Sequence, residues 1–156
     1  MIKKLSPKTN KKYIKKVEDI HKQCVLENNS GYYNTKQIKE WLSTISYKNI
    51  KNQLDNTSWI IIEENSSILG FAQYSLEEKE IFQIQIDSQF QGKGYGKKLY
   101  KYIETDFIQN NITEISLFST LNAVSFYKRI GFKIIKNIEF QLVTTSVQMV
   151  AMKKAI

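Results

Sequence analysis

The N-terminal part of the chain has the hydrophobic spacing of amphipathic helices. Across residues 11 to 28, apolar side chains recur every three or four positions among polar ones: Ile14, Val17, Ile20, Cys24 and Val25. This spacing predicts a helix with one apolar face, ended by the polar run at residues 28 to 31. A second helix is predicted from Asn34 or Thr35, because Asn34 and Gln37 have capping-box spacing. Both predicted helices precede the first predicted strand.

From residue 58 onward the pattern changes to that of β-strands. Residues 59 to 63 and 68 to 75 are rich in β-branched and aromatic side chains and flank a polar turn, which predicts a hairpin. Residues 81 to 86 alternate between apolar and polar after Phe82, which predicts a third strand with Ile84 and Ile86 directed to the core.

The C-terminal half alternates between helical and strand spacing. Helices are predicted at residues 96 to 109 and 123 to 130, and strands at 115 to 118, 132 to 138 and 147 to 152. Helices, then antiparallel strands, then a strand-loop-helix-strand unit indicate a mixed sheet in an α/β or α+β domain.

Composition indicates one globular domain over residues 1–156, because 42% of the residues are hydrophobic and 12% aromatic. The single cysteine, Cys24, excludes an intramolecular disulfide and a thiolate metal cluster, so no metal is expected and a reducing cytoplasm is the predicted location. No apolar run approaches the roughly 20 residues of a membrane span, so a soluble protein without a membrane partner is expected.

The net charge of +8 raises the question of nucleic-acid binding. The lysines are scattered through the chain, however, and the sequence is also rich in Asn and Ile, whose codons share an A/T bias with those of Lys. Most of the charge is therefore attributed to solvated lysines, and no nucleic-acid partner is expected. A basic surface also suits a polyphosphate ligand.

Candidate chemistry lies in a glycine-rich loop between a predicted strand and a predicted helix. The loop consists of Gln91, Gly92, Lys93, Gly94, Tyr95, Gly96 and Lys97. Three glycines allow backbone N–H groups to converge at a helix N-terminus, an arrangement that binds phosphate. The glycine spacing differs from the dinucleotide fingerprint, and the nucleotide P-loop fails because Gln91 replaces its first glycine and Lys98 its Ser or Thr.

Two motifs together resemble the GNAT superfamily of acetyl-CoA-dependent N-acetyltransferases. Residues 91 to 96 match its pyrophosphate loop, (Gln or Arg)-x-x-Gly-x-(Gly or Ala), and residues 122 to 132 match its Asn-Ala-x-x-Phe-Tyr-x-x-x-Gly-Phe motif. The resemblance covers residues 58 to 138 well. It implies a twisted, mostly antiparallel mixed sheet of about six or seven strands with a V-shaped splay, flanked by about four helices.

The resemblance also implies roles for individual residues. Backbone groups of Ile84, Gln85 and Ile86 would pair with the pantetheine arm of acetyl-CoA, and the backbone nitrogens of residues 91 to 96, with Lys97, would hold its pyrophosphate. Asn122 would bond the pantetheine arm while also capping the helix from Ala123. Tyr127 would protonate the leaving thiolate, with Phe126 and Phe132 packed inward beside it. A backbone N–H near Ile86 would stabilise the oxyanion, and Glu80 occupies the position of the catalytic carboxylate in several relatives.

Each of these side chains also has a structural interpretation. Tyr127 could be a core aromatic, and Glu80 could belong to a solvated turn, since it ends a charged run from Glu77. His21 is interpreted as a surface or packing residue and Cys24 as a buried, inert thiol.

The expected reaction is acetyl transfer to a primary amine of a small molecule or protein by direct attack in a ternary complex. Transfer of a longer acyl chain, acetylation of a protein N-terminus, a CoA-binding regulatory module without turnover and a nucleic-acid-binding module remain alternatives. The acceptor would be read by loops around residues 28 to 36, 74 to 80 and 138 to 147, where the sequence has no interpretable motif. The oligomeric state, including a homodimer, is left open.

Overall fold

The computed structural model describes residues 1 to 156 as a seven-stranded sheet with helices on both faces. The strands are β1 (Ile2–Lys4), β2 (Ser58–Glu64), β3 (Ser67–Ser75), β4 (Glu80–Ile86), β5 (Glu114–Thr120), β6 (Lys133–Gln141) and β7 (Ser146–Ala155). The helices are α1 (Lys11–Glu27), α2 (Thr35–Ser43), α3 (Tyr47–Gln53), α4 (Tyr95–Gln109) and α5 (Val124–Arg129). None of these helices combines the length and the apolar character that a membrane crossing requires.

The sheet has the order β1-β2-β3-β4-β5-β7-β6, and only β4 and β5 run parallel. These two strands pair only where Glu80 lies beside Ser116 and Ile81 beside Leu117. Beyond that point they separate, which opens a V-shaped gap in the middle of the sheet. The predicted mixed, mostly antiparallel and splayed sheet is therefore confirmed.

Consecutive isoleucines of β2 show how both faces of the sheet are covered. Ile60 belongs to the core under α4, with Leu99 and Ile103, whereas Ile61 belongs to the core under α1, with Val17. A strand that is buried on both faces has a continuous apolar run instead of an alternating one. Each fully buried side chain of this size contributes about 1.5 to 3 kcal/mol, so both helical layers are firmly attached to the sheet.

The predicted N-terminal helices are confirmed, and the capping box of α2 forms as expected. Asn34 Oδ1 accepts a hydrogen bond from Gln37 N at 2.8 Å, and Gln37 Oε1 accepts one from Asn34 N at 2.9 Å. Two elements were not predicted. β1 is a very short edge strand, and α3 buries only Ile50 among its residues, so neither has enough apolar positions to establish a period.

Strand β4 departs from simple alternation at Phe82. Tyr74 pairs with Ile81 while Gln73 pairs with Gln83, so Phe82 is the extra residue of a β-bulge. The bulge changes the phase of the strand, and Ile84 therefore packs partly against the same core that holds Ile81. Gln83 is consequently directed to the opposite face, toward α1 and α3.

Candidate functional site

A cavity of about 1080 Å³ occupies the gap between β4 and β5. It extends from the glycine loop before α4 to the end of α1, and residues from both faces of the sheet line it. The lining includes Glu27, Tyr32, Phe82, Gln83, Ile84, Gln85, Ile86, Gln91, Gly92, Gly94, Gly96, Lys97, Thr120, Asn122, Phe126, Tyr127 and Arg129. The structure thus brings most of the sequence-predicted site residues to one place.

The glycine loop has the geometry of an anion cradle. Gly92 and Gly94 adopt φ values of 75° and 84°, which side chains disfavour. Gly94 is the N-cap of α4 and has no side chain to occupy the first-turn donors. No backbone N–H from Gly92 to Lys97 finds an acceptor within the protein. These donors and the positive end of the helix dipole form a site for a phosphate group.

Two contacts fix this loop against its neighbours. Gln91 Nε2 donates to Ile86 O at 2.9 Å, which ties the start of the loop to the end of β4. At Gly96 an added Cβ would lie 3.2 Å from the ring of Phe126, so glycine lets α4 start directly against α5. The loop is therefore held in a defined position relative to the gap. Lys93, by contrast, lies with its Nζ over the Phe90 ring at 5.6 Å and does not line the cavity.

The edge of β4 presents free backbone groups to the gap. Asp87 N donates to Leu69 O on β3 at 2.9 Å. Because successive N–H groups of a strand point to opposite edges, the N–H groups of Ile84 and Ile86 point away from β3, into the gap. An extended ligand chain lying there could pair with them as a strand would. The backbone N–H of Gln85 points to β3 instead, so the expected pairing of this group with a pantetheine arm is wrong.

Asn122 has the clearest signature of a missing partner. Its Oδ1 is buried and accepts no hydrogen bond, and a buried polar atom without a partner costs about 1 to 3 kcal/mol. The expected helix cap is wrong: Ala123 is the N-cap of α5, and Asn122 lies in the short 3-10 segment before it. Its side chain is therefore available to a ligand in the cavity.

Tyr127 lies on the wall of the cavity and is only 6% exposed. Its ring meets Phe126 at 5.2 Å and Phe132 at 5.7 Å in edge-to-face contacts. Phe132 is buried as expected. Phe126 was expected to pack inward as well, but it is only half-buried: its ring packs against Gly96 and lines the cavity. The Tyr127 hydroxyl makes no hydrogen bond within the protein, and burial raises its pKa, so the phenol keeps its proton at neutral pH.

Glu80 lies at the closed end of the gap, just before the bulge at Phe82, and is not part of the cavity lining. Burial, reinforced by the neighbouring Glu78 carboxylate, raises the pKa of Glu80. A raised pKa suits a carboxylate that must accept a proton near neutral pH.

Charged side chains divide the cavity into two ends. Lys97 and Arg129 line it near the glycine loop, and Glu27 is its one acidic lining residue, at the end of α1. Arg129 was not predicted as a site residue, although it lies inside the second motif and its guanidinium is suited to phosphate. Glu27 and Gln83 were not predicted either, because they reach the cavity only through the packing of α1 and the separation of β4 from β5.

Cys24 and His21 are packing residues, as the sequence indicated. Cys24 is buried at 2% exposure and donates to Ile86 O at 3.2 Å, and burial raises the pKa of its thiol to about 12. His21 packs edge-on against Phe71 with 5.8 Å between ring centroids, and burial lowers its pKa to about 4.

Residues 29–156 match the family model described as an acetyltransferase (GNAT) domain, and the chain belongs to that family. It is 34% identical over 93 residues to the uncharacterized N-acetyltransferase ycf52 of Pyropia yezoensis, a match that covers 54% of this chain and 53% of that protein. It is 28% identical over 74 residues to the chloroplastic GCN5-related N-acetyltransferase 2 of Arabidopsis thaliana, covering 46% of this chain and 29% of that protein. The matches thus span about half or less of these two relatives.

Solved structures support the same fold at low sequence identity. The GCN5-related N-acetyltransferase from Rhodopseudomonas palustris superposes with a TM-score of 0.90 at 13% identity, covering 100% of this chain and 95% of that one. The PaiA N-acetyltransferase from Thermoplasma acidophilum, solved in complex with coenzyme A, has a TM-score of 0.79 at 18% identity, with 100% and 99% covered. The GNAT fold predicted from the two motifs is therefore confirmed.

Proposed function

We propose that this chain transfers an acetyl group from acetyl-CoA to a primary amine of a small molecule or protein, by direct attack in a ternary complex. One observation carries the proposal. A single cavity connects free N–H donors at the start of α4 with the Asn122 amide and the Tyr127 phenol, through the gap between β4 and β5.

The donor half of the cavity suits the chemical groups of acetyl-CoA. Backbone N–H groups from Gly92 to Gly96, with Lys97 and Arg129, would hold the pyrophosphate. Along the gap, the N–H group of Ile86 would donate to a carbonyl of the pantetheine arm, and Asn122 Oδ1 would accept a hydrogen bond from one of the amide N–H groups of that arm.

The thioester supplies an activated acetyl carbonyl, and the chain supplies positioning and proton transfer. Tyr127 holds a proton at its hydroxyl, which it can donate to the departing sulfur. The backbone N–H of Ile84, two residues from Ile86 on the same free edge of β4, is our candidate donor to the carbonyl oxygen as negative charge develops there. An amine is protonated at neutral pH, and Glu80, acting through water, is our candidate for the base that removes its proton.

Donor binding is tested by titrating acetyl-CoA calorimetrically into the parent protein and into Asn122→Ala. Loss of one buried hydrogen bond should weaken binding by roughly tenfold, while Asn137→Ala, on the exposed face of β6, should bind like the parent. If all three proteins bound acetyl-CoA with equal affinity, Asn122 would not contact the donor.

Turnover is tested by measuring thiol release with a panel of primary amines. Amine-dependent release supports the transferase. Acetyl-CoA binding without release from any amine would favour a regulatory CoA-binding module instead. Stabilisation by oligonucleotides but not by acetyl-CoA would favour nucleic-acid binding.

A further inference from the structure

We propose that the acceptor amine is held by a polarised ladder of glutamine amides, which ends at Gln83 and Gln85 in the cavity and presents acceptor oxygens to it. This proposal rests on the amine acetyltransferase function proposed above. It assigns acceptor recognition to neutral amides on β3 and β4.

The ladder is anchored at the hydroxyl of Thr57, whose role is fixed by its neighbours. Thr57 Oγ1 donates its only hydrogen to Gln53 O at 2.9 Å. The indole N–H of Trp59, which can only donate, points to the same oxygen at 3.0 Å. Any further group that binds Thr57 Oγ1 must therefore be a donor.

This anchor determines the orientation of Gln73, which is only 6% exposed. Gln73 Nε2 donates to Thr57 Oγ1 at 3.1 Å and to Gln53 Oε1 at 2.8 Å. The amide of Gln73 must consequently direct its Oε1 toward β4. A flipped amide would place two acceptors, Gln73 Oε1 and Thr57 Oγ1, against each other.

The orientation then passes along β4. Gln73 Oε1 accepts from Gln83 Nε2 at 3.0 Å, so Gln83 directs its own Oε1 onward. Gln85 Nε2 donates to that oxygen at 3.4 Å, which leaves Gln85 Oε1 without a partner in the protein. Each side-chain amide thus donates toward Thr57 through its Nε2 and directs its Oε1 away from Thr57. The last groups of the ladder are therefore amide oxygens.

These oxygens lie where an acceptor would enter. The bulge at Phe82 places Gln83 and Gln85 on the face of the sheet that carries α1, opposite the core that contains Ile84. Both line the cavity, whose wall on this side includes Glu27 at the end of α1. The donor loop before α4 lies at the other end.

Neutral oxygens have a specific advantage for an attacking amine. An amine offers N–H donors in its neutral and its charged form, and amide oxygens accept from both. A carboxylate in direct contact would instead stabilise the unreactive ammonium and raise its pKa. The ladder thus positions the nitrogen without opposing its deprotonation, and its expected ligand is a primary amine.

The kinetic test compares apparent KM values for amine and acetyl-CoA, using tyramine, 1,4-diaminobutane and Nα-acetyl-lysine amide as probes. Gln83→Met and Gln85→Met should raise the KM of an accepted amine by roughly tenfold, the value of one hydrogen bond, with the acetyl-CoA KM unchanged. Gln109→Met, exposed at the far end of α4, is the matched control. An unchanged amine KM in folded Gln83→Met and Gln85→Met would overturn the proposal.

Two further variants separate positioning from simple packing. Thr57→Val removes the anchor and should raise the amine KM severalfold, and Thr57→Ser should restore it. Gln85→Glu places a charge beside the amine and should move the acidic limb of the pH–rate profile to higher pH. A profile that does not move, or a Thr57→Ser variant no better than Thr57→Val, would contradict the ladder.

A binding experiment distinguishes failure of the ladder from failure of the proposed function. In the parent protein with coenzyme A, adding each probe amine should shift the side-chain amide resonances of Gln83 and Gln85, whether or not acetyl transfer occurs. Absence of thiol release with these shifts present would overturn only the transferase. Thiol release without these shifts would overturn only the ladder, and absence of both would overturn both.

Discussion

The two ends of the cavity are built in different ways. The donor end consists largely of consecutive residues, 91 to 97, whose backbone forms the site. The acceptor end is assembled from separate segments that meet only in the fold: the end of α1, two strands of the sheet, and the segment around Tyr33. The Tyr33 hydroxyl donates to Gln148 O at 2.6 Å and accepts from Leu121 N at 3.0 Å, which fastens that segment beside Asn122. A local backbone site can be recognised in a sequence, whereas a site made by tertiary packing cannot.

The largest effect is expected at the donor end, from Gly94→Val. A β-branched residue strongly disfavours the φ of 84° that Gly94 adopts. The N–H groups of the loop should then no longer point to one place, so calorimetry should detect no acetyl-CoA binding. The circular dichroism spectrum should remain that of a folded protein. Asn137→Val, at an exposed residue of β6 outside the cavity lining, controls for the added side chain. If folded Gly94→Val bound acetyl-CoA as tightly as the parent, the pyrophosphate could not be assigned to this loop.

The next largest effect is expected from Tyr127→Phe, on the wall of the cavity. The change keeps the ring contacts with Phe126 and Phe132 and removes only the proton donor. Turnover should fall by roughly 10² to 10⁴ while acetyl-CoA affinity is retained. Single-turnover measurements with a good amine provide the test, with Tyr102→Phe on α4 as a control. If turnover is preserved where chemistry limits the rate, Tyr127 is only a wall of the cavity.

Glu80→Gln should lower the rate mainly at low pH, by roughly 10² or more if Glu80 draws the proton from the amine. Because the Glu78 carboxylate helps to raise the pKa of Glu80, Glu78→Gln should move the acidic limb of the pH–rate profile to lower pH. Glu77→Gln serves as a nearby exposed control. A profile for Glu80→Gln that coincides with that of the parent would assign Glu80 to the structural turn.

A smaller effect is expected on the acceptor side, where Glu40 of α2 holds the loop between β6 and β7. Its Oε1 accepts from the N–H groups of Val143 at 2.6 Å and Thr145 at 2.8 Å, and also from Thr144 N. Against the opposing effect of burial, these bonds lower the pKa of Glu40 to about 2. Their stabilisation is complete above the ordinary carboxyl pKa of 4.5 and is lost as the pH falls toward 2.

In Glu40→Gln, hydrogen exchange at residues 143 to 145 should accelerate by roughly tenfold, and part of the acid sensitivity below pH 4.5 should disappear. Glu139→Gln on β6 is a control from the same hairpin. Unchanged protection of the three amides would show that the carboxylate does not hold this loop.

The smallest expected effect concerns His21, which lies beneath the acceptor side of the sheet. Its pKa is lowered from 6.5 to about 4, so the unfolded chain binds a proton more readily than the folded protein. Its contribution to stability is therefore complete above pH 6.5 and is lost as the pH falls to 4. Urea unfolding of His21→Gln should depend less on pH in this window than that of the parent. Identical pH dependence would mean that His21 titrates normally.

The sequence was sufficient for most of the fold because its elements are long and periodic. The helix at residues 11 to 28, the hairpin from residue 58 and the strand-loop-helix unit around the glycine loop all have regular apolar spacing or a motif with a defined backbone. The splay between β4 and β5 followed from the family resemblance and not from any periodicity.

The missed features depend on contacts between distant residues. The bulge at Phe82 lets Ile81 and Ile84, three residues apart, face the same core, and only the pairing with β3 reveals it. Asn122 was assigned a cap that it does not form, because a 3-10 segment shifts the start of α5 to Val124. The expected acceptor loop at residues 138 to 147 is shorter in the structure, since β6 continues to Gln141 and β7 begins at Ser146.

The most direct test of the account is an initial-rate matrix in which thiol release is measured over a range of both acetyl-CoA and amine concentrations. If donor and acceptor occupy the two ends of one cavity at once, release should require the amine and the double-reciprocal lines should intersect. Parallel lines would mean that the acetyl group first passes to the protein, and thiol release that does not depend on the amine would contradict transfer to an acceptor at all.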